Sequence, residues 1–154
     1  MKVFFAILGF SLLIAACSST QNLSKSMVIN QGIRGIVTER TGNQMPSPDV
    51  PSSEGKPIKT TIYVYEQTHL NQVQRAGTAP LYDTILSKFV KSVESDENGM
   101  FEIDLPTGNY SLFTKVKGKY YANHFDDKNN IAPVTVKKNK VTEVNITVSA
   151  SASF

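Results

Sequence analysis

Asp96-Glu97-Asn98-Gly99-Met100-Phe101-Glu102-Ile103-Asp104-Leu105-Pro106-Thr107-Gly108-Asn109-Tyr110 decides the fold class of this chain. Asp96 opens a turn that its carboxylate can cap, and Gly99 supplies the positive φ that a side chain resists. Six residues then alternate strictly. Phe101, Ile103 and Leu105 share one face, and Met100, Glu102 and Asp104 share the other. A period of two is the signature of a strand with one buried face. Pro106-Thr107-Gly108-Asn109 turns the chain again, and Gly108 lets it reverse so that Tyr110 enters a core.

The same grammar extends in both directions. Downstream, Tyr110–Val116, Tyr120–Phe125, Pro133–Val136 and Val141–Val148 read as strands. Turns at Lys117-Gly118-Lys119, the polar loop 126–130 and Lys138-Asn139-Lys140 separate them. Val144, Ile146 and Val148 fall on one face. Upstream, Ile33–Thr38, Thr60–Glu66 and Val90–Glu94 are strands, with Ile62 and Val64 opposite Tyr63 and Tyr65. Thr41-Gly42-Asn43 ends the first. Met45–Pro57 holds Pro46, Pro48, Pro51 and Pro57 and reads as a long loop. In His69–Ser87, Leu70, Val73 and Ala76 allow a helical turn or two before Ala76-Gly77-Thr78-Ala79-Pro80 breaks the segment. Short strands with a turn every eight to twelve residues predict an all-β, about seven-stranded antiparallel sandwich over 31–149, with 150–154 as a loose tail. At 154 residues there is room for one such domain.

The N-terminus has a separate logic. Lys2 precedes a 14-residue apolar run, Val3–Ala16, interrupted only by Gly9 and Ser11. That length suits a secretory signal and falls short of the ~20 residues a membrane-spanning helix needs. Ile14-Ala15-Ala16-Cys17 resembles the lipobox of bacterial lipoproteins: an aliphatic residue and two small ones before an acceptor cysteine. Cys17 is the one cysteine of the chain. A lone thiol in an exported protein invites oxidation, and acylation removes that hazard. The resemblance implies removal of residues 1–16 and lipidation of Cys17 with two or three acyl chains, palmitate among them. Two chains suffice for stable anchoring, at about 0.8 kcal/mol per buried CH₂. Ser18-Ser19-Thr20-Gln21-Asn22 lacks aspartate, which in such lipoproteins implies the outer membrane, facing the periplasm. Residues 17–30 then form a polar tether.

Ile33-x-Gly35-x-Val37, followed by Asp96-x-x-Gly99-x-Phe101-x-Ile103-x-Leu105-Pro106-x-Gly108-x-Tyr110-x-Leu112, resembles the carboxypeptidase regulatory-like domain. The resemblance spans Gly32 to Val148 and implies a prealbumin-like (transthyretin-like) sandwich that serves as an accessory module. Segments 45–57 and 69–87 are longer than that family's usual connections, and long loops in small domains often carry function.

Catalytic signatures are missing from the sequence. His69 and His124 are its two histidines, too few for a zinc site, and no HExxH occurs. A related transthyretin-like family hydrolyses a ureide ring, but its C-terminal tyrosine motif is replaced here by Ser149-Ala150-Ser151-Ala152-Ser153-Phe154. No G-x-S-x-G, phosphate loop or dinucleotide fingerprint appears. Asp126-Asp127-Lys128-Asn129-Asn130 reads as a polar turn, since Lys128 stands where a calcium ligand belongs and a distal glutamate is lacking. Sixteen basic against thirteen acidic residues give +3, and 15 against 13 give +2 once Lys2 is removed. The basic residues are scattered, which argues against nucleic acid. Phe154 matches the last residue of many outer-membrane barrels, but these strands are too short and too interrupted for one.

The expectation is therefore a membrane-anchored, non-catalytic envelope lipoprotein without cofactor or metal, acting as a structural or protein-interaction module. The alternative is a glycan or small-ligand binder using loops 45–57 and 69–87 or surface tyrosines; an unrecognised hydrolase comes last. Tyr63, Tyr65, Tyr120 and Tyr121 are the candidate contact residues, as a stacking platform.

Overall fold

The computed structural model describes residues 29–43, 45, 55–77 and 80–153. The expected signal segment 1–16, Cys17, most of the expected tether 17–30 and most of loop 45–57 lie outside these. The chain is an all-β sandwich of two sheets. The first contains β1 (Gly32–Asn43), β2 (Lys56–Pro57), β7 (Met100–Asp104), β11 (Val141–Glu143) and β12 (Ile146–Ser153). The second contains β3 (Thr61–Glu66), β4 (Val73–Arg75), β5 (Leu81–Ile85), β6 (Phe89–Glu94), β8 (Gly108–Val116), β9 (Lys119–Tyr121) and β10 (Pro133–Val136).

The alternation read at Met100–Leu105 holds residue by residue. Phe101, Ile103 and Leu105 are buried between the sheets with Ile33, Val37, Ile62, Val64, Leu112 and Val148. Asp96 Oδ1 accepts from the amides of Asn98 (2.9 Å) and Met100 (2.8 Å), and Gly99 takes φ +73°. The turn does not close a hairpin within one sheet, however. β6 pairs with β3 and β7 with β1, so Asp96–Gly99 hands the chain from one sheet to the other. Pro106–Thr107 carries it back. Tyr110 enters the core as expected, and its hydroxyl donates to Pro106 O at 2.9 Å, pinning that crossing.

The first and last strands run parallel, which local pattern does not reveal. Gly32–Arg34 pairs with Val141–Glu143, and Val37–Asn43 pairs with Ile146–Ser153. The seam passes a break at Val144-Asn145. There the Val144 carbonyl approaches so closely that a Cβ on Gly35 would lie 1.7 Å from it. β1 continues through Thr41-Gly42-Asn43, and residues 150–153, expected as a loose tail, are strand because they pair with that extension. Within loop 45–57, Lys56-Pro57 pairs with Thr38 and Glu39.

Among the described residues twelve strands stand where about seven were expected: residues 69–87 supply β4 and β5, loop 45–57 supplies β2, and the expected Val141–Val148 strand is divided into β11 and β12. Leu70–Gln72 is one 3-10 turn, as the apolar spacing suggested, but Val73–Arg75 and Leu81–Ile85 then form a hairpin. β5 docks on β9 and extends the second sheet. The strap is fastened at Thr68, whose amide donates to Ser111 Oγ (2.9 Å) and whose hydroxyl lies 2.6 Å from Ser87 Oγ.

Candidate functional site

The second sheet has two apolar faces. Cross-strand register puts Val64 opposite Leu112 and Thr114 opposite Tyr121 on the inner face. On the outer face it puts Tyr63 opposite Phe113, and Tyr120 opposite both Lys115 and Tyr82. The 69–87 strap and the 122–132 excursion close over much of that outer face. Tyr65, Tyr82, Phe113, Ala122 and Ile131 form a second core there, with Leu70, Val73, Ile85 and Phe125 against it. β8 consequently buries five consecutive residues, Tyr110–Thr114, and loses the alternation of a one-faced strand.

This covering corrects the tyrosine platform. Tyr121 is 2% exposed and points into the main core, its hydroxyl accepting from Ser149 N at 2.9 Å. Tyr65 is 6% exposed. Tyr120 and Tyr121 are consecutive in a strand, so the period of two already places them on opposite faces. Tyr63 and Tyr120 remain partly exposed. Their rings meet edge to face at 5.4 Å, and Tyr65 meets Tyr120, Phe113 and Phe89 in the same way. The Lys115 ammonium sits 5.1 and 5.0 Å from the Tyr63 and Tyr120 centroids. A herringbone capped by a cation offers no open flat ring for stacking on a sugar. Burial and the 3.0 Å bond to the Tyr120 hydroxyl push the Tyr65 phenol far above its ordinary range. Burial also raises those of Tyr82 and Tyr110.

Beside the herringbone the sheet ends in an open edge. β6 is the terminal strand of the second sheet and, among the described residues, pairs only with β3. Phe89 is 49% exposed and Leu86, just before the strand, 65%. Lys88 and Lys91 flank them, Lys88 reaching Glu66 at 3.6 Å and Lys91 the Asp104 carbonyl at 3.5 Å. Sequence reading identified the strand but not its edge position, because pairing order is non-local.

A polar recess of about 340 Å³ lies at another end, lined by Gln67, Asn109, Asp127, Lys128, Asn130 and Thr135 among others. Asp126 borders it but is committed to its own turn. Its Oδ1 accepts from the amides of Lys128 (2.9 Å) and Asn130 (2.8 Å), and its Oδ2 from the Asn130 side chain (2.8 Å). Those bonds, the Asn130 side chain foremost, lower its carboxyl below the usual range. This is the polar turn expected, built like the Asp96 turn. His69 caps the 3-10 turn, accepting from Asn71 N, while its own amide donates to Gln72 Oε1. Among the described residues no group of three or more His, Cys, Asp or Glu could hold a metal ion. None of the described helices is long and apolar enough to cross a membrane. Comparison with family models, curated proteins and solved structures gives no match.

Proposed function

We propose that this chain is a lipid-anchored envelope protein, held by acylated Cys17 in the outer membrane and facing the periplasm. Its β-sandwich is a non-catalytic module that grips another protein. The anchor rests on the Ile14-Ala15-Ala16-Cys17 motif after a signal-length apolar run. The module is read as carboxypeptidase regulatory-like, on the strength of the motif glycines and Tyr110. Gly35 and Gly99 occupy sites of close backbone approach, and Tyr110 pins the crossing at Pro106.

The open edge of β6 carries the interaction reading. An edge strand offers a row of backbone donors and acceptors to an incoming strand, and exposed Phe89 offers an apolar anchor beside it. Non-catalytic character is supported by the way the polar side chains are used: Asp96, Asp126 and His69 serve turns and caps. A photo-crosslinking side chain at Ser92 in β6 should give a reproducible protein adduct in intact envelopes, and one at Lys117 should not. Absence of any adduct from Ser92 contradicts the reading.

The recess between Gln67 and Thr135 favours a second reading, a binder of glycans or other small polar ligands. Calorimetry against envelope oligosaccharides, repeated with Asn109→Ala, tests it. No heat with any of them removes it.

A further inference from the structure

The tether joins the sandwich at a defined place. Gln31 is held by both ends of its side chain: Nε2 donates to Leu105 O at 2.9 Å, and Oε1 accepts from Asn139 N at 2.9 Å. The next amide, Gly32 N, donates to Lys140 O at 3.1 Å. The point where the chain leaves for Cys17 is therefore clamped to the Lys137–Lys140 turn. That turn is tight, with Lys140 N donating to Lys137 O and Asn139 in the left-handed region at φ 53°. Lys137, Lys138 and Lys140 are exposed, and none belongs to an ion pair among the described residues. The acids placed near this turn by register are Asp104, opposite Gly32, and Glu143, opposite Arg34; Lys91 leans toward the Asp104 carbonyl.

We infer that this end of the sandwich is a membrane-facing surface, on which Lys137, Lys138 and Lys140 rest against anionic phospholipid headgroups. The inference depends on the lipid anchor proposed above. Fifteen residues separate Cys17 from Gly32, which limits the clamp to at most ~50 Å from the anchor. The lysines thus meet the headgroups at high effective concentration. Each lysine beside an anionic surface favours contact by roughly fivefold, so three bias the domain about a hundredfold toward the docked pose. Lys117 marks the opposite end. β8 starts beside Val136 and runs nine residues away, roughly 30 Å, before reaching it. Docking would leave the β6 edge pointing sideways along the membrane.

The test uses the acylated protein purified from envelopes and reconstituted into vesicles of phosphatidylcholine, with or without phosphatidylglycerol. A membrane-impermeant amine-reactive ester labels the lysines, and mass spectrometry reads each site. Labelling of Lys137, Lys138 and Lys140 should fall at least about threefold with phosphatidylglycerol and recover at about 0.5 M salt, where the Debye length is only roughly 4 Å. Labelling of Lys117 and Lys56 should not change. An acylated protein that floats with the vesicles yet labels equally in both overturns this inference alone. A protein without acyl mass that fails to float overturns the anchor reading and this inference together.

Discussion

Gly35→Ala tests the parallel seam between the first strand and the last. The added Cβ would lie 1.7 Å from the Val144 carbonyl oxygen and 2.7 Å from its carbon. Real Cβ contacts essentially stop at 3.0 Å, so the strands must part by at least 1.3 Å (3.0 − 1.7). Both neighbours are main chain, and no side-chain rotation relieves the overlap. Separation of that size breaks the bond from Val144 N to Arg34 O, 2.9 Å long, and strains that from Ile36 N to Asn145 Oδ1, at 3.3 Å. Each is worth about 1 kcal/mol, and loosening Val144, Ile146 and Val148 adds to the loss, giving about 2–4 kcal/mol in all. Without the overlap the same change would stabilise by about 0.4–1 kcal/mol, because alanine restricts the unfolded chain. The sign of the effect therefore discriminates. Urea unfolding of the mature chain, followed by far-ultraviolet circular dichroism, should show a lower midpoint. A midpoint equal to or above wild type refutes the seam.

Tyr110→Phe removes the bond to Pro106 O and should cost about 1 kcal/mol in the same assay, with little change in the spectrum. Thr114 is fully buried on the inner face, and its hydroxyl has no hydrogen-bond partner among the described residues; Thr114→Val should be neutral or stabilise by up to about 1 kcal/mol. Asp126 has a lowered pKa, so its contribution is present above its unfolded pKa of about 4 and fades as pH falls through the lower folded value; Asp126→Asn should flatten that part of an acid-unfolding curve. Tyr65, Tyr82 and Tyr110 have raised pKa values, so the stability linked to them is intact below about pH 10 and is lost as pH climbs above it. Absorbance at alkaline pH should show their phenolates appearing only with unfolding, and Tyr82→Phe should move the alkaline midpoint upward.

Much of the fold was legible because it is local. The Asp96 and Asp126 turns, the Phe101-Ile103-Leu105 face and the Lys117-Gly118 hairpin each follow from neighbouring residues, the last with positive φ at both positions as its tight turn demands. What local pattern could not give was pairing. Nothing in Thr41-Gly42-Asn43 or in residues 150–153 alone announces a strand; each is ordered by the other. Likewise, Val73–Arg75 and Leu81–Ile85 flank a Gly-Pro-rich break that looked like a loop, and they become strands by docking on β9.

The candidate site was legible only in part, for the same reason. Alternation showed that Tyr63 and Tyr65 share a face, but not that residues of the 69–87 strap pack against it and leave Tyr65 buried. Tyr121 was separable from Tyr120 by parity alone. Phe89 and the β6 edge escaped notice because an edge is a property of strand order, which depends on contacts far apart in sequence. The Lys137–Lys140 turn was visible as a basic cluster, while its place beside the tether emerged from Gln31.

The central claim is an acylated Cys17 carrying the sandwich on a membrane. Intact mass and envelope fractionation of wild type beside Cys17→Ser test it most directly. The account predicts wild type lacking residues 1–16, heavier by its acyl chains and sedimenting with the outer membrane, and a variant that is neither acylated nor retained there. Two soluble proteins without acyl mass would contradict it.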